Sequence, residues 1–140
     1  RKADHTGYVL ELSAGRLRIV KQFASRRPRK PAEGPFECLG IEPKQAQMRL
    51  DQPLARGWWY TMKMRVQRVD GGVSVAGKMW RMDEDEPLGW QVVWTDTGQG
   101  GVGPFVGGAA GVQISGARAL VDNVVITRNK VSKEVFAAAP

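Results

Sequence analysis

The sequence predicts an all-β protein, an antiparallel β-sandwich, and three observations predict it. Short segments alternate apolar and polar residues with period two, the signature of strands with one buried face. Glycine, aspartate and proline punctuate those segments at intervals suited to tight turns. No stretch carries a helical period long enough to form a layer. The pattern is clearest in residues 57–96, GWWYTMKMRVQRVDGGVSVAGKMWRMDEDEPLGWQVVWTD, which hold all five tryptophans. There Tyr60, Met62, Met64 and Val66 alternate with Thr61, Lys63, Arg65 and Gln67, so the first set is expected to face a core. Asp70-Gly71-Gly72 tolerates positive φ and reverses the chain. Val73 and Val75 restart the alternation toward Trp80, and residues 90–95 make a third strand after an acidic, proline-containing loop.

The other elements follow in chain order. GYVLELSAGRLRIVKQF reads as a hairpin, with Tyr8, Leu10 and Leu12 on one face of its first strand. Ser13-Ala14-Gly15 is its turn, and Leu17, Ile19 and Lys21 alternate in the second strand. SRRPRKP is a basic loop in which Pro28 and Pro31 oppose any regular element. Residues 36–41 form a further strand ended by Pro43, and residues 47–50 a weaker one. The glycine-rich run TGQGGVGPFVGGAAG lacks the GxxxxGK[ST] pattern of a phosphate cradle and reads as a sheet corner or a place of close strand approach. Residues 112–115 and 119–128 are two more strands, the second containing LVDNVVITR. The expectation is one sandwich domain over residues 1–128 and a tail over 129–140 with one short helical turn.

Composition narrows the functional classes. A chain of 140 residues with 42% hydrophobic and 25% charged residues is that of one globular domain with an ordinary core. No run approaches the ~20 apolar residues that span a bilayer, so the chain is not itself expected to be transmembrane. It opens on Arg1, which suggests a mature product or a piece of a longer protein, with any export signal upstream. Cys38 is the single cysteine and His5 the single histidine. An internal disulfide, a cysteine-ligated zinc site and a multi-histidine centre are thereby excluded, and Cys38 reads as a buried, inert thiol. The 21 basic residues against 14 acidic ones give +7, which favours acidic partners, and the basic loop is a candidate contact for an acidic surface. Nucleic acid is not expected, because neither an aromatic platform nor a reading helix accompanies that loop.

Three blocks, GYVLELSAGRLRIVKQ, GWWYTMKMRVQRVDGGVSVAGKMW followed by DEDEPLGWQVVWTD, and GVQISGARALVDNVVITR, together resemble the concanavalin A-like lectin/glucanase jelly-roll superfamily. The likeness is to its laminin G-like modules and to the domain labelled 3-keto-disaccharide hydrolase in bacterial envelope proteins. The resemblance implies a jelly roll in an extracytoplasmic setting (periplasmic, cell-surface or secreted). Domains of that superfamily open with additional strands, which this chain does not show. An incomplete sheet leaves an edge open to pairing, so a partner chain or segment is expected to cover it.

Carbohydrate recognition would use exposed rings beside polar groups. Trp58 and Trp59 are adjacent on an extended segment and should face opposite ways, Trp58 with Tyr60 and Met62, Trp59 with Lys63 and Arg65. Trp80 shares parity with Lys78, whereas Trp90 and Trp94 share a face with Val92 and read as core. The expected ligand-binding residues are therefore Trp59, Lys63, Arg65, Lys78 and Trp80, and the positive charge suggests an acidic glycan. No catalytic residue is expected. The Glu-x-Asp strand pattern of the superfamily's hydrolases is missing, and Asp83, Glu84, Asp85 and Glu86 read as a solvated loop. No cofactor is required, although calcium on some of these oxygens is open, as in several laminin G-like modules. The function expected is a non-catalytic binding or interaction module for carbohydrate or another envelope component. A structural subunit docking onto a larger, membrane-associated assembly is the alternative, and a glycoside or 3-keto-sugar hydrolase a third.

Overall fold

The computed structural model describes residues 6–24, 38–41, 43, 46–114 and 116–129. Two antiparallel sheets account for nearly all of its regular structure, as an all-β chain requires. β1 (Gly7–Ser13) and β2 (Arg16–Ala24) form a hairpin across Ala14 and Gly15, whose φ values of 50° and 73° are both positive. A two-residue connection needs that geometry to match the strand twist. β3 (Cys38–Ile41) and β4 (Gln47–Arg49) each pair antiparallel with β2, completing a four-stranded sheet. In the second sheet β5 (Tyr60–Val69), β6 (Gly72–Arg81) and β7 (Val92–Asp96) run as a meander in that order. Asp70-Gly71 turns β5 into β6, with Val69 opposite Gly72 in register.

The core lies between the two sheets. Leu17 and Ile19 of β2 meet Val73, Val75 and Met79 of β6 and Val92 and Trp94 of β7, all buried. Tyr8, Leu10 and Leu12, the predicted inner face of β1, pack against this cluster. At the closest approach, a Cβ on Gly77 would fall inside the contact distance of the Leu10 side chain. Glycine there lets β1 and β6 come together.

Cover by the first sheet is one-sided. β2 lies over β6 and β7. Met62, Met64 and Val66 stand opposite Met79, Gly77 and Val75, so they share the inner face by register. Yet they are 45%, 36% and 40% exposed, and only Tyr60 of that set is packed on the core. Alternation therefore assigned the correct face of β5, but the expectation that this face is buried fails, because the facing sheet stops short of it.

By contact the chain divides into two compact units, Arg1–Val106 and Gly107–Pro140. In the second, none of the described residues joins a strand ladder, so the strands expected at 112–115 and 119–128 are not formed among the described residues. Val112, Ile114, Leu120, Val121, Val124, Val125 and Ile126 are exposed there, and Asn123 adopts φ 53°, which breaks the extended run. Alternation marks a segment able to pair; it does not supply the neighbour. The basic loop, His5, the Cys38 side chain and the expected helical turn in the tail lie outside the described residues. Among the described residues no helix is long and apolar enough to cross a membrane.

Candidate functional site

The five expected ligand residues fall on or beside the outer face of the second sheet. Lys63 of β5 stands directly opposite Lys78 of β6, Thr61 opposite Trp80, and Arg65 opposite Ala76. Two like charges side by side repel, and the loop between β6 and β7 resolves the conflict by folding back over them. Glu86 accepts hydrogen bonds from Lys63 at 3.1 Å and from Lys78 at 3.3 Å. Lys78 also donates to the carbonyl of Pro87 at 2.5 Å. Hydrogen bonding from Lys63, then from Lys78, holds the Glu86 carboxyl below its ordinary pKa.

Trp90 completes this cover. Its ring lies 5.0 Å from the Lys78 ammonium and 4.9 Å from the Arg65 guanidinium, while the Lys78 ammonium is 5.8 Å from the Trp80 ring. Trp90 is therefore on the outer face, not in the core with Trp94 as parity suggested. The ladder is interrupted at Gln91, whose side-chain oxygen accepts the N–H of Met79. Lys78 is only 4% exposed and Trp80 is half-buried. Of the expected set, Trp59 and Lys63 are the open members.

The accessible aromatic surface sits at the end of the β5–β6 hairpin opposite its turn. Gly57, Trp58, Trp59, Met82 and Asp83 line a shallow groove of about 320 Å³. Trp58 is 52% exposed and Trp59 47%, so neither ring is core. The two walls are tied together, since the N–H of Met82 donates to the Trp59 carbonyl at 2.9 Å. Arg81 stacks its guanidinium 3.9 Å from the Trp58 ring centre and donates to both carboxylate oxygens of Asp83, at 3.0 and 2.7 Å. A paired fork of this kind fixes orientation as well as charge. Donating these hydrogen bonds to the Asp83 carboxylate raises the Arg81 pKa above its ordinary value. Among the described residues no ring or cation stacks on Trp59 in this way. Sequence parity selects Trp59 but assigns Trp58 to the core; Arg81 at the end of β6 and Asp83 two residues on are the available signal for a wall on that side.

A second polar cluster is buried at the other end of the core. Lys21 and Asp96, both fully buried, form an ion pair at 2.7 Å. The Lys21 ammonium also donates to the carbonyls of Val102 at 2.5 Å and Gly103 at 3.0 Å, so its three N–H groups are all used. The Tyr8 hydroxyl donates to Asp96 at 2.7 Å and accepts the N–H of Phe105 at 3.0 Å. Burial by itself would raise the Asp96 carboxyl, but hydrogen bonds from Lys21, Tyr8 and the N–H of Gly98 outweigh it and hold the pKa below its ordinary value. Burial, then the Asp96 hydrogen bond, pushes the Tyr8 phenol up to about 12. The ion pair at the centre of this cluster is closed to solvent, and the cluster clamps residues 102–105 onto the sandwich. The β2 alternation places Lys21 inward with Leu17 and Ile19, and that parity is the signal that calls for a buried counter-charge.

Among the described residues no group of three or more His, Cys, Asp or Glu side chains converges where a metal ion could sit. No protein-family model matches the chain, and neither a curated protein nor a solved structure is similar to it.

Proposed function

We propose that the chain is a concanavalin-like jelly-roll sandwich serving as a non-catalytic binding module of an extracytoplasmic protein, with carbohydrate as its ligand. The observation that carries this reading is the groove with two tryptophans exposed by about half. Leaving large rings in water forgoes burial that would stabilise the fold, so a pair of exposed rings beside a carboxylate suits stacking on the apolar face of a pyranose. Asp83 is the one carboxylate of the lining and is already bound by Arg81, which argues for binding rather than the paired-carboxylate chemistry of glycoside hydrolysis. Screening the folded protein on a glycan array, with the Trp58→Ala/Trp59→Ala double variant alongside, tests it. Binding that survives loss of both rings removes the assignment.

A second reading, docking onto a larger assembly, is favoured by the exposed inner-face methionines Met62 and Met64 and by the exposed apolar residues between Val112 and Ile126. Large apolar side chains exposed on each of the two units are of the kind that interaction surfaces carry. Light scattering after size exclusion tests it: a stable monomer at all concentrations argues against an obligate partner of its own kind.

A further inference from the structure

Resting on the carbohydrate reading, we infer that the groove selects neutral hexopyranoses and rejects acidic sugars, against the sign of the whole-chain charge. The chain carries +7, but little of that charge reaches the groove. Arg81, the cation beside the rings, is neutralised by both oxygens of Asp83 and spends one face on Trp58. Glu84 and Asp85 follow Asp83 directly, and both are exposed, while Arg56 precedes Gly57. The residues of and next to the lining thus set two cations, Arg56 and Arg81, against two carboxylates, Asp83 and Glu84, with Asp85 one position further on. On the adjoining face Lys63 and Lys78 are engaged by Glu86, and Arg65 lies against Trp90. Lys63, half exposed, is the open cation of that face among the described residues, and a uronate reaching it would have to compete with Glu86.

What the groove does offer is complementary to an uncharged ring. Trp59 presents the open aromatic face, and Met82, 68% exposed, extends the apolar surface. The Asp83 carboxylate, with side-chain exposure of 53%, keeps lone pairs beyond those used by Arg81 and can accept hydrogen bonds from sugar hydroxyls. A uronate placed on Trp59 would bring its own carboxylate toward Asp83, the carboxylate of the lining, and like charges in contact disfavour binding.

Titration calorimetry with neutral gluco-, manno- and galacto-hexasaccharides and with an oligogalacturonate, at about 50 and 200 mM NaCl, tests the inference. The expected result is binding of at least one neutral oligosaccharide with a Kd that changes less than about twofold over this salt range, and no uronate binding. Trp59→Ala weakens the neutral ligand about tenfold or more. Asp83→Asn frees Arg81 and brings in uronate binding at the lower salt. A wild-type protein that binds the oligogalacturonate more tightly than any neutral sugar, and loses affinity with salt, overturns the inference while leaving carbohydrate recognition intact. Absence of binding to every saccharide by folded protein overturns both.

Discussion

Replacing Asp96 by Asn removes the carboxylate paired with the fully buried Lys21 ammonium and leaves the cation with the carbonyls of Val102 and Gly103. Breaking a buried pair by deleting one partner costs about 3–5 kcal/mol, because the remaining charge stays desolvated. That is a large share of the roughly 5–15 kcal/mol that holds a domain together. At about 4 °C per kcal/mol for a folded unit of this size, the Tm falls by about 12–20 °C. Lys21→Met should cost less than Asp96→Asn, since a carboxylate left behind can protonate and still has Tyr8 and the N–H of Gly98 as donors. The double variant should then be more stable than the sum of the singles predicts, by about 1–3 kcal/mol. Urea melts followed by circular dichroism supply the cycle. The pH dependence has a definite sign. The folded Asp96 pKa is depressed, so its contribution is fully present above the unfolded carboxyl value of about 4 and is lost as pH falls through the lower folded value. Asp96→Asn should lack that acid-side loss. An Asp96→Asn protein within about 1 kcal/mol of wild type, or a strictly additive cycle, refutes the reasoning that this pair is a desolvated unit.

Three further outcomes follow from the same packing. Tyr8, raised to about 12 in the fold against 10 unfolded, favours the native state below pH 10, and this contribution is lost as pH rises from 10 through 12; Tyr8→Phe should show a correspondingly flatter alkaline melt. A methyl at Gly72 would overlap the backbone carbonyl of Asp96, so Gly72→Ala should cost about 2–3 kcal/mol, and an unchanged urea midpoint would show that β6 and β7 can separate there freely. Ala14 sits at φ 50°, where a Cβ is strained, so Ala14→Gly should raise stability by up to about 1 kcal/mol in the same assay.

How far the fold was legible is best seen strand by strand. The β1–β2 hairpin and the β5–β6–β7 meander follow from side-chain alternation and from turn residues that permit positive φ, both local properties. They were readable because each strand finds its partner next along the chain. Residues 112–115 and 119–128 have the same local signature and form no ladder among the described residues. Pairing there would be non-local, and period two holds no information about which edge is open. The exposure of Met62 and Met64 has a related cause: their face was legible from parity, but the width of the facing sheet is a property of the whole sandwich.

The site was legible to the same depth and for the same reason. Parity placed Lys63, Arg65, Lys78 and Trp80 on one outer face, and register confirms that placement. What parity could not carry is the path of the β6–β7 loop, which brings Glu86, Pro87 and Trp90 back across the face and buries Lys78. A Lys63–Lys78 pair on adjacent strands needs either water or a carboxylate between its charges, and the acidic run after β6 is within reach to provide one. Once that run is committed to covering cations, the rings it does not cover become the accessible surface, and those are Trp58 and Trp59 at the hairpin's open end. The whole-chain charge is a poor guide to ligand sign for the same reason: cations that stabilise the sandwich by pairing are not available to a ligand, and the balance that matters is the one around Asp83.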